Sequence, residues 1–131
     1  PDIVKPEEGH RIILRRAQAS HALKRYAQAQ DDFARYAEID PSYAELWKSW
    51  AWQLATCPDA NFRDGRKALE YAQKVPYEEG MAAAYAELGQ FDEAVKWQKH
   101  AFVSPVSTKS GKETLQMRLK LYESKRPFRE N

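Results

Sequence analysis

Alanine and large aromatic residues return at helical spacing in two segments of this chain, and that recurrence restricts the fold more than any other feature. YAQAQDDFARYAEIDP (Tyr26 to Pro41) and FDEAVKWQKHAFVSP (Phe91 to Pro105) each open on an aromatic residue, place alanine three residues later and close on proline. The stretches before them also correspond, Ala17, Ser20 and Leu23 matching Ala82, Tyr85 and Leu88. The unit is about 34 residues, a length that suits helix, tight turn and second helix. Alanine lets two antiparallel helices approach closely while flanking aromatics fill the space beside the contact. Each hairpin then keeps an apolar face that only a neighbour can bury.

The rest of the chain agrees with an all-α fold. Glycines number only 5, and no stretch shows the sustained period-two alternation of a strand. A first helix is expected from Pro6 to about Leu23, and a second from Tyr26 to Ile39, halted because a residue before Pro41 is pushed out of the α region. Ser42 and Glu45 form a capping-box pattern ahead of a helix ending near Thr56. PDANFRDG reads as a loop, with Asp64 capping a helix from Arg66 to about Val75. Gly89-Gln90 separates helices expected over 78–88 and 91–103, glycine being the usual left-handed terminator. SPVSTKSG reads as a linker and Ser110 with Glu113 as a second capping box. Leu115, Leu119 and Tyr122 then line one side of a last helix, and the closing KRPFREN reads as frayed or pinned only by Phe128.

The run from Gly80 to Ala94, GMAAAYAELGQFDEA, resembles the tetratricopeptide repeat (TPR) consensus. Trp47, Ala51 and Leu54, then Ala68 and Ala72, agree with the same pattern around an enlarged loop. The first unit departs from it: Ile13 replaces the usual tryptophan, Arg16 the leucine and Lys24 the turn glycine. The resemblance, to the bacterial type with an extended loop in the second repeat, implies one domain over residues 1–131. Its antiparallel hairpins would stack as a short right-handed superhelix of about three repeats (about 9–41, 42–75 and 76–105) with a capping helix over about 110–125. From Phe33 to Ala51 is 18 residues, whereas the matching interval from Ala72 to Ala82 is 10, a deficit of eight. On spacing alone an ordinary connection cannot be made there, which leaves either an omitted segment near Val75-Pro76 or a last hairpin in an altered or exchanged arrangement.

The resemblance also implies a function: the first helices of successive hairpins line a concave groove that holds an extended peptide or a partner helix, without catalysis. Carried over position by position, it points to Arg11, Leu14, Arg15, Gln18 and His21 in the first unit and Lys48, Ser49, Trp52 and Thr56 in the second. Glu79, Ala83 and Glu87 follow in the third. Arg11, Arg15, Gln18, Lys48 and Trp52 are the expected contact residues. Arg11 and Arg15 stand at i and i+4 and can fork onto a carboxylate, and Lys48 with Trp52 repeats that spacing with a cation and a flat apolar surface. The expected partner is a protein or peptide, acidic with an apolar anchor. Against this, arginines on a helix face are as often solvated and paired with nearby acids, worth about 0 to 1 kcal/mol. The carboxylate clamp of chaperone-binding TPR domains is disfavoured, because no asparagine occupies the corresponding positions. The alternative, from another class, is a structural or assembly domain whose groove is filled by the chain's own terminus or by a second copy, with a homodimer formed by exchange of the last hairpin.

Composition disfavours several other classes. Lys plus Arg at 21 against Asp plus Glu at 19 gives a net charge of +2, too small for a bulk attraction to nucleic acid. The basic run Arg118, Lys120, Lys125, Arg126 and Arg129 reads as the polar side of a capping helix. Cys57 is the only cysteine, so no intrachain disulfide forms, and MAAAYA is far shorter than the roughly 20 apolar residues of a membrane span. His10, His21 and His100 share no ligand spacing, and Asp59 to Glu70 lacks the glycine and the oxygen ligand of a calcium loop. No metal, cofactor or enzymatic activity is expected. The cytoplasm is the default expectation for location, and an opening at Pro1 without methionine suggests a processed chain or part of a longer one.

Overall fold

A computed structural model describes residues 6–103 and 109–130. Among these residues the chain forms seven α-helices and no strand: α1 (Pro6–Ala22), α2 (Tyr26–Ile39), α3 (Ala44–Thr56), α4 (Gly65–Lys74), α5 (Glu78–Glu87), α6 (Phe91–Phe102) and α7 (Lys109–Glu123). A 3-10 turn, Ala60–Phe62, lies in the loop between α3 and α4. Helices α1 with α2, α3 with α4, and α5 with α6 pack as successive hairpins, and α7 packs on α6. The second hairpin continues into the third because α5 lies against both α3 and α4.

Three helices end in the same way. At α1, α5 and α7 an amide reaches back to the carbonyl five residues earlier: Arg25 to Ser20 at 2.7 Å, Gln90 to Tyr85 at 2.8 Å and Arg126 to Leu121 at 2.9 Å. The residue before each of these amides bonds three residues back and stands in the left-handed region, at φ 63° for Lys24, 78° for Gly89 and 59° for Lys125. This is the Schellman cap, which satisfies carbonyls that a helix end leaves open. Lys24 therefore adopts the conformation usually left to glycine, at the steric cost of its Cβ.

Helix starts depart from the sequence expectation at two places. Ser42 does not cap α3: its hydroxyl and its amide both bond to Asp40 Oδ1, at 2.6 and 3.3 Å, and Tyr43 precedes the helix without a side-chain cap. Asp40 is close enough to capture Ser42 in a local turn, which removes the hydroxyl from the helix end. Ser110, expected to precede α7, lies within that helix, which is described from Lys109, and the second capping box falls on side chains outside the described residues. Asp64 does cap α4, accepting from the Lys67 amide at 3.0 Å. Within one chain the eight-residue deficit is taken up by shorter elements. Helix α4 is four residues shorter than α2, the turn after it is one residue shorter than Asp40–Tyr43, and α5 is three residues shorter than α3. Tyr77 closes that turn by donating its amide to the Ala72 carbonyl at 3.0 Å.

The core follows the alanine pattern. Ala17, Ala29, Ala51, Ala68, Ala72, Ala82 and Ala94 are fully buried, and Phe33 and Tyr36 of α2 share one core cluster with Leu46 of α3. Trp50 stacks on Phe33 at 5.8 Å and donates its indole N–H to Gln30 at 2.6 Å, while half-buried Trp47 stacks on Trp50 at 6.0 Å. Arg16 forks onto the buried Asp32 at 2.8 and 2.6 Å and ties α1 to α2. The Arg16 hydrogen bond outweighs burial and holds the Asp32 carboxyl below its ordinary range. A Cβ on Gly80 would run into the Tyr77 ring, so glycine lets Tyr77 fold over the first turn of α5.

Candidate functional site

The cap at Lys125 turns the chain back from the end of α7, and Pro127 favours an extended backbone on either side of it. Phe128, Arg129 and Glu130 then run across α1, α3 and α5. The Phe128 ring lies 5.7 Å from Trp52, and the Arg118 guanidinium of α7 sits over both rings, at 4.6 Å from Trp52 and 4.7 Å from Phe128. Arg129 pairs with Glu87 of α5 at 2.6 Å, and Arg63 from the α3–α4 loop holds the other oxygen of that carboxylate at 3.3 Å. The Glu130 amide donates to the Thr56 carbonyl at 2.9 Å. Its carboxylate takes the Trp52 indole N–H at 2.7 Å and meets His21 Nε2 at 2.9 Å. The segment is therefore tied down by three residues, not frayed and not pinned by Phe128 alone.

The electrostatics of the site come from partial burial. Burial alone would raise the Glu130 carboxyl, but the hydrogen bonds from His21 and Trp52 outweigh it and bring the group below its ordinary value. Tyr77 and Tyr122 face the same region, and burial pushes both phenols well above their ordinary value. The Tyr122 hydroxyl and Arg118 Nε are buried and make no hydrogen bond among the described residues. Arg118 approaches Glu79 through its terminal nitrogen at 3.7 Å.

Of the five expected contact residues, Trp52 stands at the centre of this site. Gln18 donates to Ser49 at 2.9 Å, which joins α1 to α3 at an exposed position. Lys48 is half-buried, and Arg11 and Arg15 are exposed; none of the three forms an ion pair among the described residues. The twin arginines therefore do not reach the bound segment. His21, Thr56, Glu79 and Glu87, which the repeat resemblance placed on the groove, do converge here. The contributions of Arg118 and of Phe128–Glu130 were missed. Arg118 and Arg129 are not the solvated face of a capping helix, since one lies on two aromatic rings and the other is paired with Glu87. The legible sign was the order proline, aromatic, cation, acid in RPFRE, which favours an extended strand with alternating chemistry over a helix.

What the site can do chemically is hold an extended segment through a ring, a cation, a carboxylate and one backbone bond. Cys57 is buried, and burial pushes its thiol up, the opposite of the activation a nucleophile needs. Among the described residues no group of three or more His, Cys, Asp or Glu side chains is arranged to hold a metal ion. No helix among them is long and apolar enough to cross a membrane. Comparisons with protein-family models, with curated proteins and with solved structures give no significant match.

Proposed function

We propose that this chain is a non-catalytic interaction module, built of TPR-type hairpins, whose groove over α1, α3 and α5 holds an extended peptide segment of a partner protein. The observation that carries this reading is the way Phe128–Glu130 is held. Side chains from α1, α3, α5 and α7 meet three consecutive residues, and a main-chain bond to Thr56 sets their register. Peptide grooves work by this division, with backbone bonds for affinity and side-chain pockets for specificity. A display selection of random heptapeptides against the chain carrying Phe128→Ala and Glu130→Gln tests it. Peptides retained by that protein and lost when Trp52→Ala is added are expected; no enrichment dependent on Trp52 would overturn the reading.

A second reading, a structural or assembly domain, is favoured by one feature: the segment in the groove belongs to the same chain and ties α7 to α1, α3 and α5. In that reading Phe128–Glu130 closes the helical stack, or does so in a second copy. A tight dimer at micromolar concentration in sedimentation equilibrium, lost on Glu130→Ala, would favour it over the first.

A further inference from the structure

We propose that the groove is specific for an extended aromatic–cation–carboxylate triplet, that Phe128-Arg129-Glu130 is its resident copy, and that a partner protein binds by presenting the same triplet and displacing the resident. This rests on the interaction-module reading above and names the ligand class of that site.

Each position of the triplet meets its own chemistry. The ring lies against the Trp52 indole under the Arg118 guanidinium, an arrangement that favours a flat π surface over an aliphatic side chain. The cation meets Glu87, whose second oxygen is already held by Arg63, so that carboxylate is fixed before the ligand arrives. The acid meets an indole N–H and an imidazole nitrogen that point at separate oxygens of one carboxylate, a two-point contact that selects for that planar group. The Thr56 carbonyl takes the amide of the acidic residue, which fixes direction and register. A shift of the triplet by one residue would set arginine against His21 and Trp52, and phenylalanine against Glu87.

Two features make the resident replaceable. The Tyr122 hydroxyl, on a fully buried side chain, and Arg118 Nε have no hydrogen-bond partner with the resident in place, so an incoming segment with one more acceptor gains bonds the resident does not make. Phe128, Arg129 and Glu130 are themselves only half-buried, and the turn that delivers them carries Lys125 in the left-handed region. The resident is thus an intramolecular competitor, favoured by its tether and not by complete burial. A free ligand binds the intact chain more weakly by the fraction of time the groove is open.

The test uses the full chain carrying Phe128→Ala and Glu130→Gln and a fluorescein-labelled peptide of sequence KRPFREN, read by fluorescence anisotropy. Saturable binding is expected, at least about tenfold tighter than for the same peptide with alanine and glutamine in place of its phenylalanine and glutamate. Binding to the unsubstituted chain is expected to be at least about tenfold weaker, because its groove is occupied. Addition of Trp52→Ala should abolish it. Equal binding of the two peptides overturns the triplet, as does no binding by a vacated chain of unchanged helicity. If the double variant unfolds, Glu130→Gln alone takes its place, and unfolding of that variant too means that the resident cannot leave, which also overturns the proposal. A display selection that yields Trp52-dependent peptides of another pattern would sink the triplet while leaving the general reading intact; one that yields none would sink both.

Discussion

Replacing Glu130 by alanine removes the group that joins α1, α3 and the returning segment, and the geometry sets how much should be lost. Two hydrogen bonds to an ionised carboxylate disappear, from Trp52 at 2.7 Å and with His21 at 2.9 Å. Bonds to charged groups are worth about 1.5–3 kcal/mol each. The Glu130 side chain keeps 31% exposure, so water competes and the lower end applies. The two bonds also share one carboxylate and do not add fully, which gives a loss of about 2–3 kcal/mol for Glu130→Ala. Glu130→Gln keeps an acceptor for the indole and should lose only about 1 kcal/mol. Urea unfolding followed by far-UV circular dichroism measures both. A double-mutant cycle with Trp52→Phe should return a coupling of about 1 kcal/mol. The pH dependence has a fixed sign. A carboxyl held below its ordinary value stabilises the fold in full above the unfolded pKa, about 4.3, and that contribution fades as pH falls through the folded value. The gap between parent and Glu130→Ala should therefore narrow below about pH 4. A change under about 0.5 kcal/mol at pH 7, or a gap that does not narrow in acid, would refute the reasoning.

The left-handed caps offer a reciprocal pair: Lys24→Gly should stabilise by about 0.5–1 kcal/mol, strain relief exceeding the entropy cost of glycine, whereas Gly89→Ala should cost about 1 kcal/mol, both read from thermal melts. Arg16→Leu places there the residue type of the consensus that the chain resembles but leaves the buried Asp32 carboxylate without its partner, so it should lower the urea midpoint, with most of that recovered when Asp32→Ala is added; an additive double variant would contradict the pairing. Gly80→Ala drives a methyl into the Tyr77 ring and should cost about 1–3 kcal/mol, whereas adding Tyr77→Ala should make the glycine replacement nearly neutral.

Where the sequence could be read, the determinants were local. The bounds of α2 come from an aromatic–alanine rhythm and the Asp40-Pro41 stop, and those of α4 from Asp64, which needs only its own helix to find a partner. Gly89 ends α5 in the conformation only glycine adopts freely. Reading failed where two local choices competed. Ser42 faced both a helix amide and the Asp40 carboxylate, and the carboxylate won. The spacing deficit after α4 was visible, but whether two shorter helices or a displaced hairpin would absorb it depended on packing between helices.

The candidate site divides along the same line. Trp52 was singled out as a flat apolar surface beside Lys48 on a first helix, and the fold brings the returning segment onto it, whereas Arg11 and Arg15 remain exposed and away from that segment, since i and i+4 spacing aligns two side chains without fixing what they meet. The all-helical class, the hairpin order and the turn positions follow from the sequence itself, since the 3.6-residue period and short-range hydrogen bonds act within a few residues. The meeting of Glu130 with His21, 109 residues away, and with Trp52, 78 residues away, was decided only by the tertiary structure. Those distances accumulate the packing angles of every helix between them. The contact becomes favourable only when the stack has brought both donors to the one place a turned-back segment can reach.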